Sequence, residues 1–187
     1  MQVLVLLLVC LVVLTLLFLV AEQLYVIVRC MWLRAAPFVP VNARSIPHIV
    51  AEIALTQDDL VYDLGCGDGR ILRALHTKEP RARYVGVEWD WLPYVLAKFR
   101  TRNIARQSLT LKRKNFYTEN LTGATCLVLY LFPQVLNQLL PKFRAELAPG
   151  TRIFSVDFQF ADLTPTRTVD LPPIVGSINK RLYEYRL

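Results

Sequence analysis

The sequence predicts an α/β protein whose main domain contains a mostly parallel sheet with an antiparallel edge, preceded by one transmembrane helix. Three observations support this prediction. Residues 2–21 are uncharged and mostly Leu and Val, and strand-like and helix-like segments alternate from Leu60 to Leu147. Two further strand-like segments follow without a clear helix between them. Alternation favours parallel pairing, whereas two consecutive strands favour an antiparallel edge.

The first apolar segment has the length of a membrane span. At about 1.5 Å per residue, residues 2–21 would cover roughly 30 Å, the thickness of a bilayer core. A buried core helix and a cleaved signal peptide are the alternatives. A core helix would need burial on all sides, and a signal peptide has a basic first region, whereas no Lys or Arg precedes Arg29. We therefore expect an uncleaved anchor that contacts the lipid bilayer through residues 2–21.

The positive charges that flank this span predict its orientation. Arg29 and Arg34 follow the apolar run, and all other Lys and Arg residues lie further along the chain. Such flanks stay on the cytoplasmic side. We expect a single-pass membrane protein with residues 1–33 as transmembrane anchor and flank and residues 34–187 as one cytoplasmic domain.

The formal net charge of +7 is concentrated in the middle of the chain. No Asp or Glu lies among seven basic residues of one segment: Lys98, Arg100, Arg102, Arg106, Lys112, Arg113 and Lys114. A solvated face is one interpretation, and contact with anionic lipid through Lys98–Lys114 is the next. No nucleic-acid partner is expected, because no recognised motif accompanies the charge. The four cysteines form no C-x-x-C pair, so we expect neither a metal site nor a disulfide framework.

The first predicted elements surround a glycine-rich turn. Leu60–Leu64 is an apolar strand, Asp68–His76 a helix and Tyr84–Glu88 a second strand. Asp90–Ile104 is predicted as a helix with Asp90 as its N-cap.

The second half of the domain continues the pattern. Leu109–Lys114 alternates apolar and basic residues, as a strand with one wet face does. Cys126–Phe132 is uninterruptedly apolar, which is typical of a strand buried on both faces. Pro133 begins a helix that a Pro-Gly pair ends after Leu147. Three strands complete the prediction: Arg152–Phe160, Thr166–Leu171 and Arg181–Arg186.

The segment Asp63-Leu-Gly65-Cys66-Gly67-Asp-Gly69 carries the strongest functional signal. Its spacing is G-x-G-x-G; the dinucleotide fingerprint G-x-G-x-x-G would need glycine where Arg70 stands. Glycines allow a tight turn and a close approach of a ligand to the backbone. Amides at the start of the next helix could then donate to that ligand. The alternative is a structural turn without a ligand.

This segment resembles motif I of the class I methyltransferases, which bind S-adenosylmethionine on a Rossmann-like seven-stranded sheet. The resemblance implies a cofactor site made by Asp63 and by Gly65, Cys66, Gly67 and Gly69. Glu88 ends the second strand, where an acidic residue accepts hydrogen bonds from the ribose hydroxyls. Asn115 and Phe116 follow the third strand, where the family places residues near the adenine.

Aromatic residues are the candidates for the acceptor side. Tyr130 and Phe132 end the predicted fourth strand and are our candidate catalytic residues. The Asn/Asp-Pro-Pro-aromatic motif of many amino-methylating relatives is absent there, which weakens a case for DNA adenine or glutamine methylation. Asp157, Phe158 and Phe160 end the fifth strand and could line the same pocket.

A narrower resemblance rests on the Pro37-Phe-Val-Pro40 element soon after the apolar span, on Val85-Gly-Val-Glu88 and on the closing Leu182-Tyr-Glu-Tyr185. Together with motif I these are similar to the membrane-anchored protein lysine methyltransferases that modify the ATP synthase c-subunit and the adenine nucleotide translocase. The resemblance implies a lysine of a membrane protein as acceptor. Without a long basic presequence, a prokaryotic inner membrane is the expected location.

Two alternatives of other classes remain at this point. One is a membrane-bound methyltransferase of a lipid or small molecule. The other is a non-enzymatic cofactor-binding membrane module, against which the intact glycine turn and Glu88 argue.

Overall fold

The computed structural model describes residues 2–32 and 40–187, and the chain divides into two compact units, Met1–Pro37 and Phe38–Leu187. Some predictions fall outside the described part. They concern the boundary after residue 33, the positive flank of Arg29 and Arg34, and residues 37–39 of the Pro37–Pro40 element. They stay predictions.

The first unit contains one long helix, α1, over Gln2–Trp32. Its part Gln2–Leu24 has a mean hydropathy of 3.6 and none of it is buried within the protein. At 1.5 Å per residue these 23 residues extend about 34 Å. By length and composition this helix can cross a membrane, as the apolar run predicted.

The second unit contains seven strands and four α-helices among its described residues. The strands are β1 (Leu60–Leu64), β2 (Arg83–Glu88), β3 (Leu109–Arg113), β4 (Cys126–Leu129), β5 (Arg152–Val156), β6 (Arg167–Asp170) and β7 (Arg181–Arg186). The helices are α2 (Ile46–Glu52), α3 (Arg70–Lys78), α4 (Trp91–Arg100) and α5 (Pro133–Glu146), and a 3-10 turn covers Phe116–Thr118.

The strands form one sheet in the order β3-β2-β1-β4-β5-β7-β6. The first five strands in this order pair in parallel, and β7 is antiparallel to both β5 and β6. The predicted fold is therefore confirmed, including the antiparallel edge. The chain direction across the sheet reverses between β1 and β4, and the crevice beyond such a switch point is where open α/β sheets bind ligands.

The core lies on both faces of the central strands. All residues of β4 are buried, and β1 is buried from Val61 to Leu64. Ligand-binding groups can therefore emerge from these strands only at their ends. The predicted burial of the fourth strand on both faces is confirmed.

Several predicted elements have other bounds in the structure: β4, β5 and α4 are shorter, and α3 is shifted by two residues. β4 ends at Leu129 instead of Phe132, because its partner β1 ends opposite it at Leu64. β5 ends at Val156 instead of Phe160, since Asp157 has a φ of 63°, which no strand can continue through. α3 begins at Arg70 because Gly69 before it is left-handed. α4 ends at Arg100, where the chain turns from Thr101 to Ile104.

The sequence interpretation missed α2. This short helix buries Ile46, Ile49 and Val50, and a proline stands in its first turn. Lys78 of α3 contacts the C-terminal end of α2. Its Nζ donates to the carbonyls of Val50, Ala51 and Ile53 at 2.8, 2.8 and 2.9 Å. Carbonyl groups at a helix C-terminus carry the negative end of the helix dipole, so the Lys78 ammonium stabilises α2 from another element.

We expect Gly86→Ala to destabilise the domain by overpacking. A Cβ at Gly86 would lie 2.5 Å from Leu72 Cδ1, 2.8 Å from Leu111 Cδ2 and 2.9 Å from Cys66 Sγ. Inserting a methyl group into a packed core typically costs about 1–3 kcal/mol. Urea unfolding of a fragment beginning at residue 34 would measure the loss. Combining the change with Leu72→Val is expected to cost less than the sum of the two single changes; additive costs would contradict the steric cause.

Candidate functional site

The turn between β1 and α3, residues 65–69, has a backbone that only glycine adopts without strain at three positions. The φ angles of Gly65, Gly67 and Gly69 are 76°, 56° and 74°. The space around this glycine turn is also limited. A Cβ at Gly65 would lie 3.2 Å from Leu131 Cδ2, and one at Gly69 would lie 3.2 Å from Ala97 Cβ. The predicted strand, turn and helix are confirmed.

Hydrogen bonds tie the glycine turn to the end of β2. The N–H groups of Gly65 and Cys66 donate to the carbonyl of Val87 at 2.8 and 3.1 Å, and Gly67 N–H donates to Glu88 Oε2 at 2.9 Å. These three amides therefore have partners within the protein. At these positions the turn can contribute a close approach of the ligand to its backbone, but no free N–H donor.

The Glu88 carboxylate is buried at the point where β2 ends. Its Oε1 accepts a second backbone bond, from Asp90 N–H at 2.8 Å. Burial raises the pKa of Glu88, while the bonds from Asp90 and Gly67 oppose that rise. Each carboxylate oxygen accepts more than one hydrogen bond, so both oxygens retain capacity for donors of a ligand.

Asp63, near the end of β1, is the most strongly perturbed carboxyl of the site. It is buried, and its Oδ2 has no hydrogen-bond partner among the described residues. Burial raises the pKa of Asp63 to about 8, and the negative charges of Glu88 and Asp68 add to the shift. A buried polar atom without a partner is costly, so a ligand with a cationic or hydrogen-bond-donating group would satisfy this carboxyl.

Asp68 has a structural role that the sequence interpretation missed. Its carboxylate receives Nε and Nη2 of Arg70 at 2.8 and 2.6 Å, and Arg100 of α4 lies 3.2 Å away. Arg70 also donates to the carbonyl of Val41 at 2.7 Å. Asp68 thus connects the glycine turn to α4 and to the segment before α2. The spacing of Asp68 and Arg70, two residues apart in the sequence, is the signal that could have indicated this ion pair.

Asn115 and Phe116 lie just after β3, beside the end of β2. Asn115 Oδ1 accepts from Tyr117 N–H at 3.0 Å and so forms an Asx-type turn. The Phe116 ring is half-buried, 4.8 Å from that of Tyr117. Because Glu88 pairs in register with Arg113, both residues follow the same edge of the sheet as Glu88.

Three aromatic rings meet beyond β4 and β5. Phe158 lies 5.9 Å from Tyr130 and 5.4 Å from Phe132, centroid to centroid, and this aromatic cluster is partly exposed. Burial raises the pKa of Tyr130, the charge of Asp157 adds to it, and a hydrogen bond with Asn179 opposes it. The sequence-predicted residues Tyr130, Phe132 and Phe158 are therefore together. Phe160 instead packs in the core against Tyr185.

Asp157 organises the loop before β7. Its Oδ1 accepts from the N–H groups of Lys180 and Arg181 at 2.6 and 3.2 Å, and its Oδ2 accepts from Asn179 Nδ2 at 2.7 Å. Asn179 Oδ1 in turn accepts from Asn42 N–H at 3.0 Å. Asp157 thus holds the surroundings of the aromatic cluster rather than presenting a free carboxylate. Asn179 was not recognised from the sequence.

The basic segment does not form one charged face. Arg100 pairs with Asp68, and Lys112 and Lys114 lie 2.5 and 3.1 Å from the carboxylate of Glu119. The charge run in the sequence is therefore divided by tertiary contacts. Its exposed members without an acidic partner in the described part of the chain are Lys98, Arg102, Arg106 and Arg113.

The sheet order, the glycine turn and the acidic residue at the end of β2 define a class I methyltransferase that uses S-adenosylmethionine. Their chemistry fits this cofactor, since one oxygen of Asp63 has no partner among the described residues and the turn has no side chains at its glycines. The chain belongs to the family whose model is described as the ANTKMT methyltransferase domain, which matches residues 63–167. The recognition made from motif I and Glu88 is confirmed.

Two relatives of this chain are named as lysine N-methyltransferases. A protein-lysine N-methyltransferase of Saccharolobus islandicus is 30% identical over 151 residues, covering 80% of this chain and 92% of the relative. The ATP synthase c-subunit lysine N-methyltransferase of Rattus norvegicus is 31% identical over 137 residues. That match covers 71% of this chain and 60% of the rat protein, so the chain spans less than two thirds of this relative.

A solved structure supports the same class. The RNA methyltransferase of Salinibacter ruber in complex with S-adenosyl-L-homocysteine superposes with a TM-score of 0.70 at 28% identity. The superposition covers 79% of this chain and 93% of that one. The tRNA (m1A58) methyltransferase TrmI of Aquifex aeolicus, at 11% identity and a TM-score of 0.63, shares the fold.

Asp63 is expected to make the stability of the cofactor-free protein fall as pH rises. Its folded-state pKa of about 8 lies above the unfolded value of about 3.9. The folded protein then holds a proton that the unfolded chain releases, so stability is lost between about pH 4 and about pH 8 and changes little above. Asp63→Asn removes this contribution. Urea unfolding should show the variant gaining on the native protein as pH increases; a pH-independent difference would contradict the assignment.

Proposed function

We propose that this methyltransferase transfers a methyl group to a lysine side chain of a membrane protein. The family membership carries this proposal, because the Saccharolobus and rat relatives are both named as lysine N-methyltransferases. The apolar helix α1 supports the membrane part of it.

The cofactor would lie against the glycine turn at the carboxyl ends of β1 and β2. Bound S-adenosylmethionine carries an electrophilic methyl group on a sulfonium. Asp63 would accept from the amino group of its methionine part, directly or through water, and Glu88 from the ribose hydroxyls. Gly65, Cys66, Gly67 and Gly69 would form the adjacent wall, and Asn115 and Phe116 the adenine side.

The acceptor would enter at the aromatic cluster of Tyr130, Phe132 and Phe158. Aromatic faces attract cations, so this cluster is suited to hold an amine before and after methylation. Orienting two reactants in this way can contribute roughly 7–11 kcal/mol to lowering the barrier. The loop that Asp157 holds through Asn179 would keep Tyr130 in place.

A lysine must lose a proton before it attacks the methyl group, since its reference pKa is about 10.4. Removal from water and a nearby positive charge disfavour the ammonium and lower this pKa. Tyr130 is a poor general base here, because burial raises its own pKa and keeps its hydroxyl protonated. The proposed role of Tyr130 and Phe132 is therefore to desolvate and orient the amine.

The anchor would place this site beside its acceptor. Helix α1 would insert in a prokaryotic inner membrane with the catalytic unit on the cytoplasmic side. Tethering raises the effective concentration of a membrane-embedded acceptor. Basic residues within Lys98–Lys114 would add attraction to anionic lipid, which salt screens.

We expect Glu88→Ala to weaken S-adenosylmethionine binding by more than about tenfold, since two hydrogen bonds to a charged group contribute roughly 1.5–3 kcal/mol each. Calorimetry on the fragment beginning at residue 34 would measure the dissociation constant. Asp58→Ala, which removes an exposed carboxylate before β1, is the matched control and should bind normally. Equal affinity of the Glu88 variant and this control would refute the ribose assignment.

The acceptor can be identified with cofactor labelled in its methyl group. Membranes of a strain lacking the gene, incubated with the full chain, should acquire label in methyl-lysine of integral membrane proteins. Removing residues 2–21 should leave cofactor affinity intact and reduce this labelling by roughly 10²-fold through lost effective concentration. Label in lipid, in RNA or in soluble proteins at comparable rates would favour another acceptor.

The orientation of the anchor predicts the side of the membrane on which residue 187 lies. A green fluorescent reporter fused after Leu187 should fluoresce, as reporters in the cytoplasm do, because basic flanks are retained there. An alkaline phosphatase fused at the same place should be inactive. Active phosphatase would show the opposite topology.

A further inference from the structure

Helix α4 has its apolar residues on the outside. Pro93 and Ala97 are buried, whereas Leu92 and Phe99 are 59% and 65% exposed. The outer face of α4 consists of the exposed residues Trp91, Leu92, Val95, Leu96 and Phe99. These positions recur every three to four residues and so share one side of the helix.

Close packing at the glycine turn explains this inversion. Ala97 approaches Gly69 so closely that a Cβ there would be 3.2 Å from Ala97 Cβ. Small residues must therefore face inward, and the large apolar ones are left outside. An exposed apolar surface of this kind marks an interaction site in a soluble domain.

Positive charge lies on α4 and in the segment that follows it. Lys98, Arg102 and Arg106 are exposed and have no acidic partner among the described residues. The Arg102 guanidinium lies 4.2 Å from the Phe99 ring centre, and no acidic residue occurs between Asp90 and Glu119. Trp and Phe beside Arg and Lys are the composition of helices that lie in the interface of an anionic bilayer.

We propose that the outer face of α4 is a second membrane attachment, lying at the boundary between headgroups and acyl chains of an anionic bilayer. This inference rests on the proposed membrane location. A second copy is a poorer occupant, because a symmetric contact through this face would bring Lys98 and Arg102 of both copies together. An anionic lipid surface complements these charges while accepting the apolar residues.

A second attachment would restrict how the catalytic unit is oriented on the membrane. α4 begins three residues after Glu88, and Ala97 packs at the glycine turn. Contact through α4 would therefore hold the turn and the end of β2 at a defined distance from the lipid surface. A single attachment restricts the distance from the membrane but leaves the orientation free.

Tryptophan quenching in the full chain tests this inference. With Trp32→Phe and Trp89→Phe, Trp91 becomes the single tryptophan. The chain is mixed with vesicles of equal parts phosphatidylcholine and phosphatidylglycerol that carry brominated acyl chains. The matched control also carries Trp91→Phe and gains Val175→Trp. Val175 is 91% exposed and lies in the loop between β6 and β7. Flotation after a carbonate wash is measured in parallel.

We expect Trp91 emission to shift to the blue and to lose most of its intensity, and the tryptophan at position 175 to change little. Arg102→Gln with Arg106→Gln should reduce the quenching, as should pure phosphatidylcholine. Quenching without carbonate-resistant flotation would support the α4 contact and reject the anchor. Flotation with unquenched Trp91, or equal quenching at both positions, would overturn the inference. So would quenching that appears only after an acceptor protein is added, or self-association that Leu96→Glu abolishes.

Discussion

The Glu88 carboxylate holds the two strand ends on which the site depends. It accepts the N–H of Gly67 from the glycine turn and that of Asp90 from the start of α4. Val87, directly before it, accepts from Gly65 and Cys66. The end of β2 therefore fixes the position of the turn after β1. Burying this negative charge is costly, and backbone donors offset the cost.

The position of the Glu88 carboxylate also affects the pKa of the neighbouring carboxyl group of Asp63. Asp63 lies close enough to Glu88 and Asp68 that their charges raise its pKa, and its Oδ2 is left without a partner in the described chain. A perturbed, unsatisfied carboxyl at the edge of a sheet is typical of a binding site. The proposed role of these carboxyls in cofactor binding agrees with this, because the cationic groups of S-adenosylmethionine would complement their negative potential.

Close packing extends the influence of the turn to the surface. Gly86 leaves room for Leu72 and Cys66 beneath the turn, and Gly69 lets Ala97 approach from α4. The opposite edge of the site is held by Asp157, whose left-handed backbone ends β5 and whose carboxylate binds the loop before β7. Asp157 therefore holds the loop beside the aromatic cluster, and the packing of Ala97 on Gly69 leaves the apolar side of α4 facing outward.

The sequence by itself determined the fold class, the order of the strands along the chain and the positions of the glycine turn and Glu88, because period and turn chemistry are local properties. Tertiary structure alone decided that β4 and β5 end early, that Arg100, Lys112 and Lys114 are neutralised by Asp68 and Glu119, and that Asn179 lies beside Tyr130. These outcomes depend on residues distant in the chain. β4 ends where its partner β1 ends, and β5 ends at Asp157, whose carboxylate binds the distant loop before β7. A charge is free or paired according to the residues that the fold brings beside it.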